Sequence, residues 1–256
     1  MKVGIITDIH ENLIAFKEAL KLAEIHKCNE LVCLGDIVGY DRRFYKHDQA
    51  RSAKECLRLV RSSCRWIVTG NHDLFAANRF PLYSNGFVYP ENWFSLTANE
   101  RKTLSKGKVW CFEGDIPNDL DVDDKLFLKS LPEYIVTSEP AVTCAFSHYF
   151  CPDFTGSTTK YVERKNHLKG QWEFMETNKI LFSFSGHSHN HFAGFAYRDT
   201  GSFLKAIHTF PDNTFNLGNE MVVVLLPPLS GEKGRTGFSI ADTSNLTLSI
   251  IYTGLS

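Results

Sequence analysis

Short apolar segments alternate with amphipathic segments over the first part of the chain. Residues 3–7, 31–34 and 66–68 are apolar runs, as expected of strands buried on both faces of a sheet. Between them, residues 13–23 and 50–60 carry apolar side chains at spacings of three and four, which predicts two amphipathic helices. This order predicts a parallel sheet with right-handed crossovers and with loops gathered at the carboxyl ends of its strands.

The pattern is looser in two later regions. Residues 80–132 hold many aromatic side chains and an acidic run at 119–124. Two interpretations of this insert remain open: an irregular subdomain that packs its own aromatic side chains, or a cap that covers a site and selects substrates. The polar residues 150–180 predict a second loop region near the site.

Strand-like runs return beyond the insert, at residues 142–146, 180–184, 205–210, 221–226, 237–242 and 246–251. The last two are joined by residues 242–245, whose composition predicts a hairpin. A chain of 256 residues suits one large α/β domain, so we expect residues 1–256 to form a single domain interrupted by the insert and the loop region.

Composition narrows the class of protein. The formal net charge of −1 leaves no basic footprint of the kind that nucleic-acid binding requires. The seven cysteines form no CxxC pair and several lie in apolar runs, which predicts reduced thiols rather than a disulfide framework. No signal segment and no membrane-spanning run is visible in the sequence. We therefore expect a soluble, cytoplasmic protein that does not bind membranes.

Five polar clusters stand at the ends of predicted strands or just after them. They are Asp8-Ile9-His10, Gly35-Asp36, Gly70-Asn71-His72-Asp73, His148 and Gly186-His187-Ser188-His189. Any one of them is a weak signal, because isolated pairs of this kind usually lie in ordinary turns. Five in register with five strands predict a shared site at one edge of a sheet.

The side chains in these clusters have the chemistry of metal ligands. Carboxylates, an amide oxygen and imidazoles without thiolates suit Mn²⁺, Fe²⁺ or Fe³⁺, Zn²⁺, Co²⁺ and Ni²⁺. In the Asp8-x-His10 and His187-x-His189 pairs, alternate residues of an extended segment point the same way. Seven ligands exceed what one ion needs and suit two ions roughly 3.5–4 Å apart, the arrangement that serves displacement at phosphorus.

These motifs resemble the signature of the calcineurin-like metallophosphoesterases. The block at residues 35–40 and the segments 215–219 and 238–251 are similar to a mainly prokaryotic branch of that superfamily. The resemblance covers residues 1–75 and 141–256 and is poor between them. It implies a four-layer αββα sandwich of two facing mixed sheets flanked by helices, with a dinuclear metal site at the carboxyl ends of the strands.

The resemblance also implies a role for each residue of the clusters. One metal would be held by Asp8, His10 and His189, the other by Asn71, His148 and His187, with Asp36 bridging the two. His72 would stay free of metal, contact the phosphate and protonate the leaving oxygen as a general acid.

Some positions depart from the protein Ser/Thr phosphatases of this superfamily. Thr69 and Tyr40 stand where those enzymes carry phosphate-binding arginines, and Gly39 stands where they carry the aspartate that orients the catalytic histidine. Asp41 and Asp73 are the candidates to replace that aspartate, and the sequence does not choose between them.

Further departures lie beside the clusters. Tyr149 follows His148 where glycine is usual and is expected to narrow the site or stack on a substrate. Glu11 is expected to lie at the start of the first helix, where an acidic side chain is favoured. Arg42 and Arg43 are interpreted as a solvated basic pair.

The resemblance implies a phosphoesterase that acts on a small-molecule phosphate ester. We favour a phosphomonoesterase. The alternatives are a phosphodiesterase for a nucleotide or cyclic nucleotide on the same site, and a metal-binding scaffold without catalysis. The survival of every metal position and of His72 argues against the scaffold. Neither the native metals nor the oligomeric state follows from the sequence.

Overall fold

The computed structural model describes residues 1–138, 142–190, 192–198, 205–209, 212–231 and 236–253. The strands in these ranges are β1 (Lys2–Ile6), β2 (Glu30–Cys33), β3 (Trp66–Ile67), β4 (Tyr134–Thr137), β5 (Cys144–Ser147), β6 (Phe182–Ser185), β7 (Gly194–Tyr197), β8 (His208–Thr209), β9 (Thr214–Asn216), β10 (Val222–Leu225), β11 (Gly237–Asp242) and β12 (Thr247–Tyr252). The α-helices are α1 (Leu13–Ile25), α2 (Ala53–Ser63), α3 (Asn71–Ala76), α4 (Ala98–Ser105), α5 (Val122–Ser130) and α6 (Lys169–Thr177).

The strands form two mixed sheets of six strands each. The first sheet has the order β3-β2-β1-β11-β12-β9, and its strands β1, β2 and β3 are mutually parallel, as the sequence predicts. The second has the order β4-β5-β6-β10-β7-β8, with β5, β6 and β10 parallel. The remaining pairings are antiparallel, including the predicted hairpin of β11 and β12, in which Asp242 pairs with Thr247.

Three apolar cores separate four layers. Strand residues from both sheets, such as Ile5 and Val224, form the core between the sheets. The outer face of the first sheet packs on helices α1, α2 and α5 through residues such as Phe16 and Phe238. The outer face of the second sheet packs on α6, where Met175 is buried. The predicted αββα sandwich is therefore confirmed.

Burial of both faces explains why β1 and β10 are almost continuously apolar. In β1, Val3 and Ile5 face the core between the sheets, whereas Ile6 faces the helices. In β10, Val222 and Val224 face the same central core, whereas Val223 and Leu225 face α6. Alternate side chains of a strand point to opposite faces, so a strand in a middle layer is buried on both faces and favours apolar side chains on both.

The two regions predicted to be less regular contain helices. The acidic run at 119–124 is the start of α5: the side chain of Asp121 accepts a hydrogen bond from the Asp124 amide at 3.0 Å, and Asp124 accepts one from the Asp121 amide at 3.2 Å. This capping box satisfies amides that a helix start leaves unpaired. Helix α4 lies in the same insert.

Helix α6 lies within the region 150–180 that was predicted as a loop. Its polar composition hides a narrow apolar side, because Trp172 and Met175 are buried while Lys169 and Glu173 are exposed. The short strands β4, β7 and β9 were also missed. The strand predicted at 205–210 is confirmed only for β8, and residue 210 lies outside the described residues.

Two further expectations concern the chain as a whole. All seven cysteines are free thiols, as predicted. Within the described ranges, every helix is too short or too polar to cross a lipid bilayer.

Phe238→Ala should test the core between the first sheet and its helices. The ring is fully buried in β11 and lies over Gly4, whose missing Cβ leaves room for it. We expect a loss of about 3–5 kcal/mol in the free energy of unfolding, measured by denaturant titration, because the truncation removes apolar contacts and leaves a cavity. The exposed Val88→Ala is the control and should change stability by less than about 0.5 kcal/mol. A loss as small for Phe238→Ala as for the control would contradict this packing.

Candidate metal centre and active site

The five polar clusters converge, and they come from both sheets. Asp8 and His10 follow β1, Asp36 follows β2, and Asn71 opens α3 just after β3. The remaining histidines follow strands β5 and β6 of the second sheet: His148, His187 and His189. The expectation of a single sheet edge was therefore wrong in one respect: the ends of two facing sheets meet at the site.

Three of the predicted ligands form one compact group. The Nε2 atom of His189 lies 3.1 Å from Asp8 Oδ1 and 3.2 Å from His10 Nε2. His10 Nε2 lies 3.8 Å from the same Asp8 oxygen. The ligand atoms of all three residues lie within 4.8 Å of one another, so one ion could contact them together.

A second compact group contains Asp36, His148 and His187. The Nε2 atom of His148 lies 3.2 Å from Asp36 Oδ2 and 3.3 Å from His187 Nδ1. Asp36 Oδ2 is also 3.7 Å from His10 Nε2 of the first group. Asp36 therefore lies between the two groups, in the position that a bridging ligand would require.

Several of these residues have a backbone conformation that non-glycine residues seldom adopt. The φ angles are +55° at Asp8, +45° at His10, +50° at Asp36, +69° at His187 and +50° at His189. A side chain in the left-handed region costs conformational energy, and such residues persist where the surrounding structure fixes them, often at functional sites. All five are predicted metal ligands.

Hydrogen bonds to main-chain carbonyls fix two of the imidazoles. His10 Nδ1 lies 2.7 Å from the Gly39 oxygen, and His148 Nδ1 lies 2.9 Å from the Leu34 oxygen. A carbonyl only accepts, so each Nδ1 carries a proton, and Nε2 is the ring nitrogen that faces the cluster. Metal-binding histidines in proteins are commonly oriented in this way.

Electrostatics favour cations at the cluster. Burial raises the pKa of Asp8, but nearby imidazoles, chiefly His189, outweigh it and hold the pKa well below its usual value. Burial and the neighbouring His148 lower the pKa of His187 to about 3, so this ring is neutral. Burial opposes protonation of His148 as well, yet the Asp36 carboxylate raises its pKa to about 9. A proton on His148 neutralises the same carboxylates that a bound metal cation would neutralise.

His72 lies beside the cluster and is held by a carboxylate that sequence reasoning missed. Its Nδ1 is 2.8 Å from Asp115 Oδ2, and its amide donates to Asp36 Oδ1 at 2.9 Å. Burial lowers the pKa of His72, but Asp115 and Asp36 outweigh burial and raise it to about 10. A ring nitrogen of His72 also comes within 4.8 Å of the ligand atoms of His10 and Asp36.

Both candidates that the sequence offered for orienting His72 have other partners. Asp41 binds the guanidinium of Arg43, with a shortest distance of 2.6 Å. Asp73 accepts from the amides of Ile37, Val38 and Gly70 at 2.9, 3.1 and 3.0 Å, which ties the turn after β2 to the turn after β3. The prediction that one of them orients His72 was wrong.

Glycine at position 39 follows from the packing of His72. A Cβ added to Gly39 would collide with the His72 ring, and the φ of +89° is strained for any other residue. The aspartate found here in protein Ser/Thr phosphatases could not be accommodated, so the carboxylate comes from Asp115 in the insert instead. No local pattern around Asp115 distinguishes it from the other acidic residues of that region.

Tyr149 and Glu11 have structural roles at the site. The Tyr149 ring is buried against His187, with centroids 4.7 Å apart, and its hydroxyl accepts from the Val162 amide at 2.8 Å. It supports a predicted ligand and does not line the cavity described below. Glu11 is buried, pairs with Arg51 and accepts from the Gly39 amide at 3.1 Å.

Glu11 lies just before the start of helix α1, as expected, but does not cap it. The capping residue is Asn12, whose side chain accepts from the Ala15 amide at 3.0 Å. Burial raises the pKa of Glu11 although Arg51 opposes the shift. Arg42 and Arg43 are exposed to solvent, as predicted, but each also binds carboxylates. Arg42 binds Asp48, and Arg43 binds Asp41 and Glu113.

A cavity of about 710 Å³ opens over the cluster. Its floor includes Asp36, Asn71, His72, His187 and His189. The insert supplies one wall, including Lys102, Trp110, Phe112, Glu113 and Asp115. Other aromatic side chains of the insert, such as Phe80 and Phe87, pack on aromatic neighbours instead. One part of the insert therefore packs its own aromatic side chains, and another part lines the cavity.

The sequence profile of calcineurin-like phosphoesterases matches residues 1–191, well over half of the chain. The chain belongs to the calcineurin-like phosphoesterase family. The predicted resemblance is thereby confirmed at the level of the family, and the two sheets with flanking helices are those of a metallophosphoesterase sandwich.

Solved structures share this calcineurin-like fold. A metallophosphoesterase from Sphaerobacter thermophilus has a TM-score of 0.68 and 20% identity, over 100% of this chain and 90% of that one. A hypothetical protein from Pyrococcus horikoshii OT3 has a TM-score of 0.62 and 14% identity, over 100% and 88%. An uncharacterised protein of Methanocaldococcus jannaschii is 35% identical over 71 residues, which are 28% of this chain and 26% of that relative. The match thus spans about a quarter of that curated relative.

Calcineurin-like phosphoesterases typically use divalent metals, and the residues present here fit such ions. Asp8 Oδ1 and Asn71 Oδ1 are buried oxygens without a hydrogen-bond partner among the described residues. A buried acceptor left unpaired is unfavourable, and a cation would satisfy it. The donor set is oxygen and imidazole nitrogen without thiolates, which suits borderline divalent ions.

Asp36→Ala should abolish binding of both ions, because Asp36 lies between the two ligand groups. Metal content of the purified protein, measured by elemental analysis after loading with Mn²⁺, should fall to near zero per chain. Asp123→Ala, which removes an exposed carboxylate, is the control and should retain the metal content of the wild type. Retention of one or two ions by a folded Asp36→Ala variant would refute the bridging role.

Proposed function

We propose that this protein is a metal-dependent phosphoesterase that hydrolyses small phosphate esters, with phosphomonoesters favoured. The observation that carries the proposal is the position of His72. Its amide donates a hydrogen bond to Asp36, and its ring is hydrogen-bonded to Asp115, at the cavity. A candidate proton donor is thereby held beside the candidate metal centre.

In this proposal each ion has three ligands of its own and shares a fourth. Asp8, His10 and His189 would hold one divalent ion. Asn71, His148 and His187 would hold the other, and Asp36 would contribute to both. Bound divalent ions supply Lewis acidity toward phosphoryl oxygens and lower the pKa of a water molecule. Phosphoryl transfer depends mainly on positioning and on neutralising charge, which a fixed set of ligands provides.

His72 would protonate the leaving oxygen, and Asp115 would orient it. The Nδ1–H bond to Asp115 leaves Nε2 as the atom that transfers the proton. Asp115 also favours the protonated ring, whereas cations beside His72 oppose that shift and favour the neutral ring. The two influences together would keep the imidazole able to exchange a proton near neutral pH.

A phosphodiesterase on the same site is the second candidate, because the cavity of about 710 Å³ exceeds what a phosphate group alone would fill. The scaffold without catalysis is disfavoured, because six of the seven predicted ligands and His72 lie in compact groups and the seventh, Asn71, lines the same cavity.

Removal of metal should abolish phosphate ester hydrolysis, and return of metal should restore it. We expect the chelated protein to be inactive toward phenyl phosphate and Mn²⁺ to restore hydrolysis, because the proposal assigns activation of water and neutralisation of the phosphoryl charge to the bound ions. Bis(p-nitrophenyl) phosphate assayed in parallel distinguishes the two candidates by the ratio of kcat/KM. If Mn²⁺, Fe²⁺, Zn²⁺, Co²⁺ and Ni²⁺ all fail to restore hydrolysis of either ester, the proposed function is wrong.

His72→Ala should keep its metal and lose turnover, by about 10²–10⁴-fold for esters with poor leaving groups. The loss should be smaller for p-nitrophenyl phosphate than for an alkyl phosphate, because a stable phenolate leaves without a proton. Steady-state kinetics on both esters measures the difference, and His26→Ala outside the cavity is the control. An equal loss on the two esters would contradict the general-acid role.

A further inference from the structure

Five aromatic side chains line the cavity beside the candidate metal centre, and all of them except the buried Tyr45 are partly exposed. The four partly exposed ones, Phe44, Trp110, Phe112 and Tyr161, are referred to below as the aromatic surface. Phe44 and Tyr161 are 51% and 44% exposed. Large apolar side chains partly open to water at the mouth of a cavity are typical of places that a ligand covers.

Phe112 has a strained backbone and a fixed ring. Its φ is +52°, an uncommon conformation for a bulky residue. The ring stacks on Phe75 with centroids 4.4 Å apart and meets His72 edge to face at 5.0 Å. If His72 protonates the leaving oxygen, Phe112 lies next to the group that leaves. Strain of this kind persists where it serves a site.

The aromatic surface continues from the insert to the loop region that follows β5. Trp110 donates its amide to the Ser157 oxygen at 3.1 Å, which ties the two segments together. Tyr161 meets Trp110 edge to face at 6.3 Å and stacks on His187 at 5.8 Å. The surface thus reaches from His72 to a predicted metal ligand.

The cations that line the cavity are already neutralised. Arg43 binds Asp41 at 2.6 Å and Glu113 at 2.8 Å, and Lys102 lies 3.9 Å from Glu113. Among the described residues of the lining, no lysine or arginine remains free of a carboxylate partner. The wall away from the metal ligands therefore does not attract a second anionic group.

We propose that the natural leaving group is a flat, uncharged aromatic ring system, either a nucleobase-bearing alcohol or a simple aryl alcohol, held on the aromatic surface. This inference rests on the phosphoesterase function proposed above. Stacking on aromatic side chains suits any flat ring, and the neutralised cations disfavour leaving groups that carry further phosphates.

Two pairs of esters test the proposal with the full chain loaded with Mn²⁺. Adenosine 5′-monophosphate is compared with ribose 5-phosphate, and benzyl phosphate with cyclohexylmethyl phosphate. Within each pair the ester bond is alike and only the flat ring differs. We expect kcat/KM to favour the flat member by about tenfold or more in at least one pair. Preference in the first pair alone identifies a nucleoside, and preference in the second pair alone identifies an aryl group.

Phe112→Leu and Tyr161→Leu should each bring the ratio of kcat/KM values within a pair, flat member over its partner, toward one. Leucine keeps the apolar volume but offers no flat face for stacking. Phe87→Leu, an aromatic position of the insert outside the cavity, is the control and should keep the wild-type ratio. Tyr161 is partly exposed, so its variant provides the test if Phe112→Leu does not fold.

A ratio near one in both pairs for the wild type would overturn the proposal while leaving the phosphoesterase function intact. A preference that survives in both variants would also overturn it. Calorimetric binding of benzylphosphonate and cyclohexylmethylphosphonate separates this failure from failure of the proposed function. Tighter binding of the benzyl compound, lost in Phe112→Leu, supports the aromatic surface even if no ester is hydrolysed, and equal binding counts against it.

Discussion

The geometry of the site depends on the buried carboxylate of Asp36. It contacts the His72 amide through one oxygen and lies near His148 and His10 through the other. Burial raises the pKa of Asp36, but the surrounding imidazoles outweigh it and keep the pKa below its usual range. A buried charge is tolerated only when opposite charges and donors surround it. Because these partners come from both sheets, this requirement links the two sets of strand ends.

The sandwich provides the rigid frame for that contact. Each sheet is buried on both faces, so the strand ends are held by packing on two sides, and five predicted ligands can keep left-handed backbone conformations. Hydrogen bonds connect the loops that surround the site. The Trp110 amide of the insert donates to the Ser157 oxygen of the loop region, and Asp115 of the insert contacts His72. The insert is therefore part of the site as well as a cluster of packed aromatic side chains.

The sequence predicts elements well where one pattern repeats and less well where elements are short. The central strands were found because burial on both faces demands unbroken apolar runs. Helix α6 was missed because few of its residues are buried, and the short strands β4, β7 and β9 were missed although other strands of similar length were found. The acidic run before α5 carried a capping signal in Asp121 and Asp124 that could have been recognised.

The sequence by itself determined the types of the candidate ligands and their order at strand ends, because local patterns fix strands and the residues that follow them. Only the tertiary structure decided that two sheets supply the site and that Asp115, 43 residues from His72, forms a hydrogen bond with the His72 ring. It also decided that Asp41, Asp73 and Tyr149 have other partners. Contacts between loops depend on how separate elements pack in space, and no local period of the chain encodes that packing.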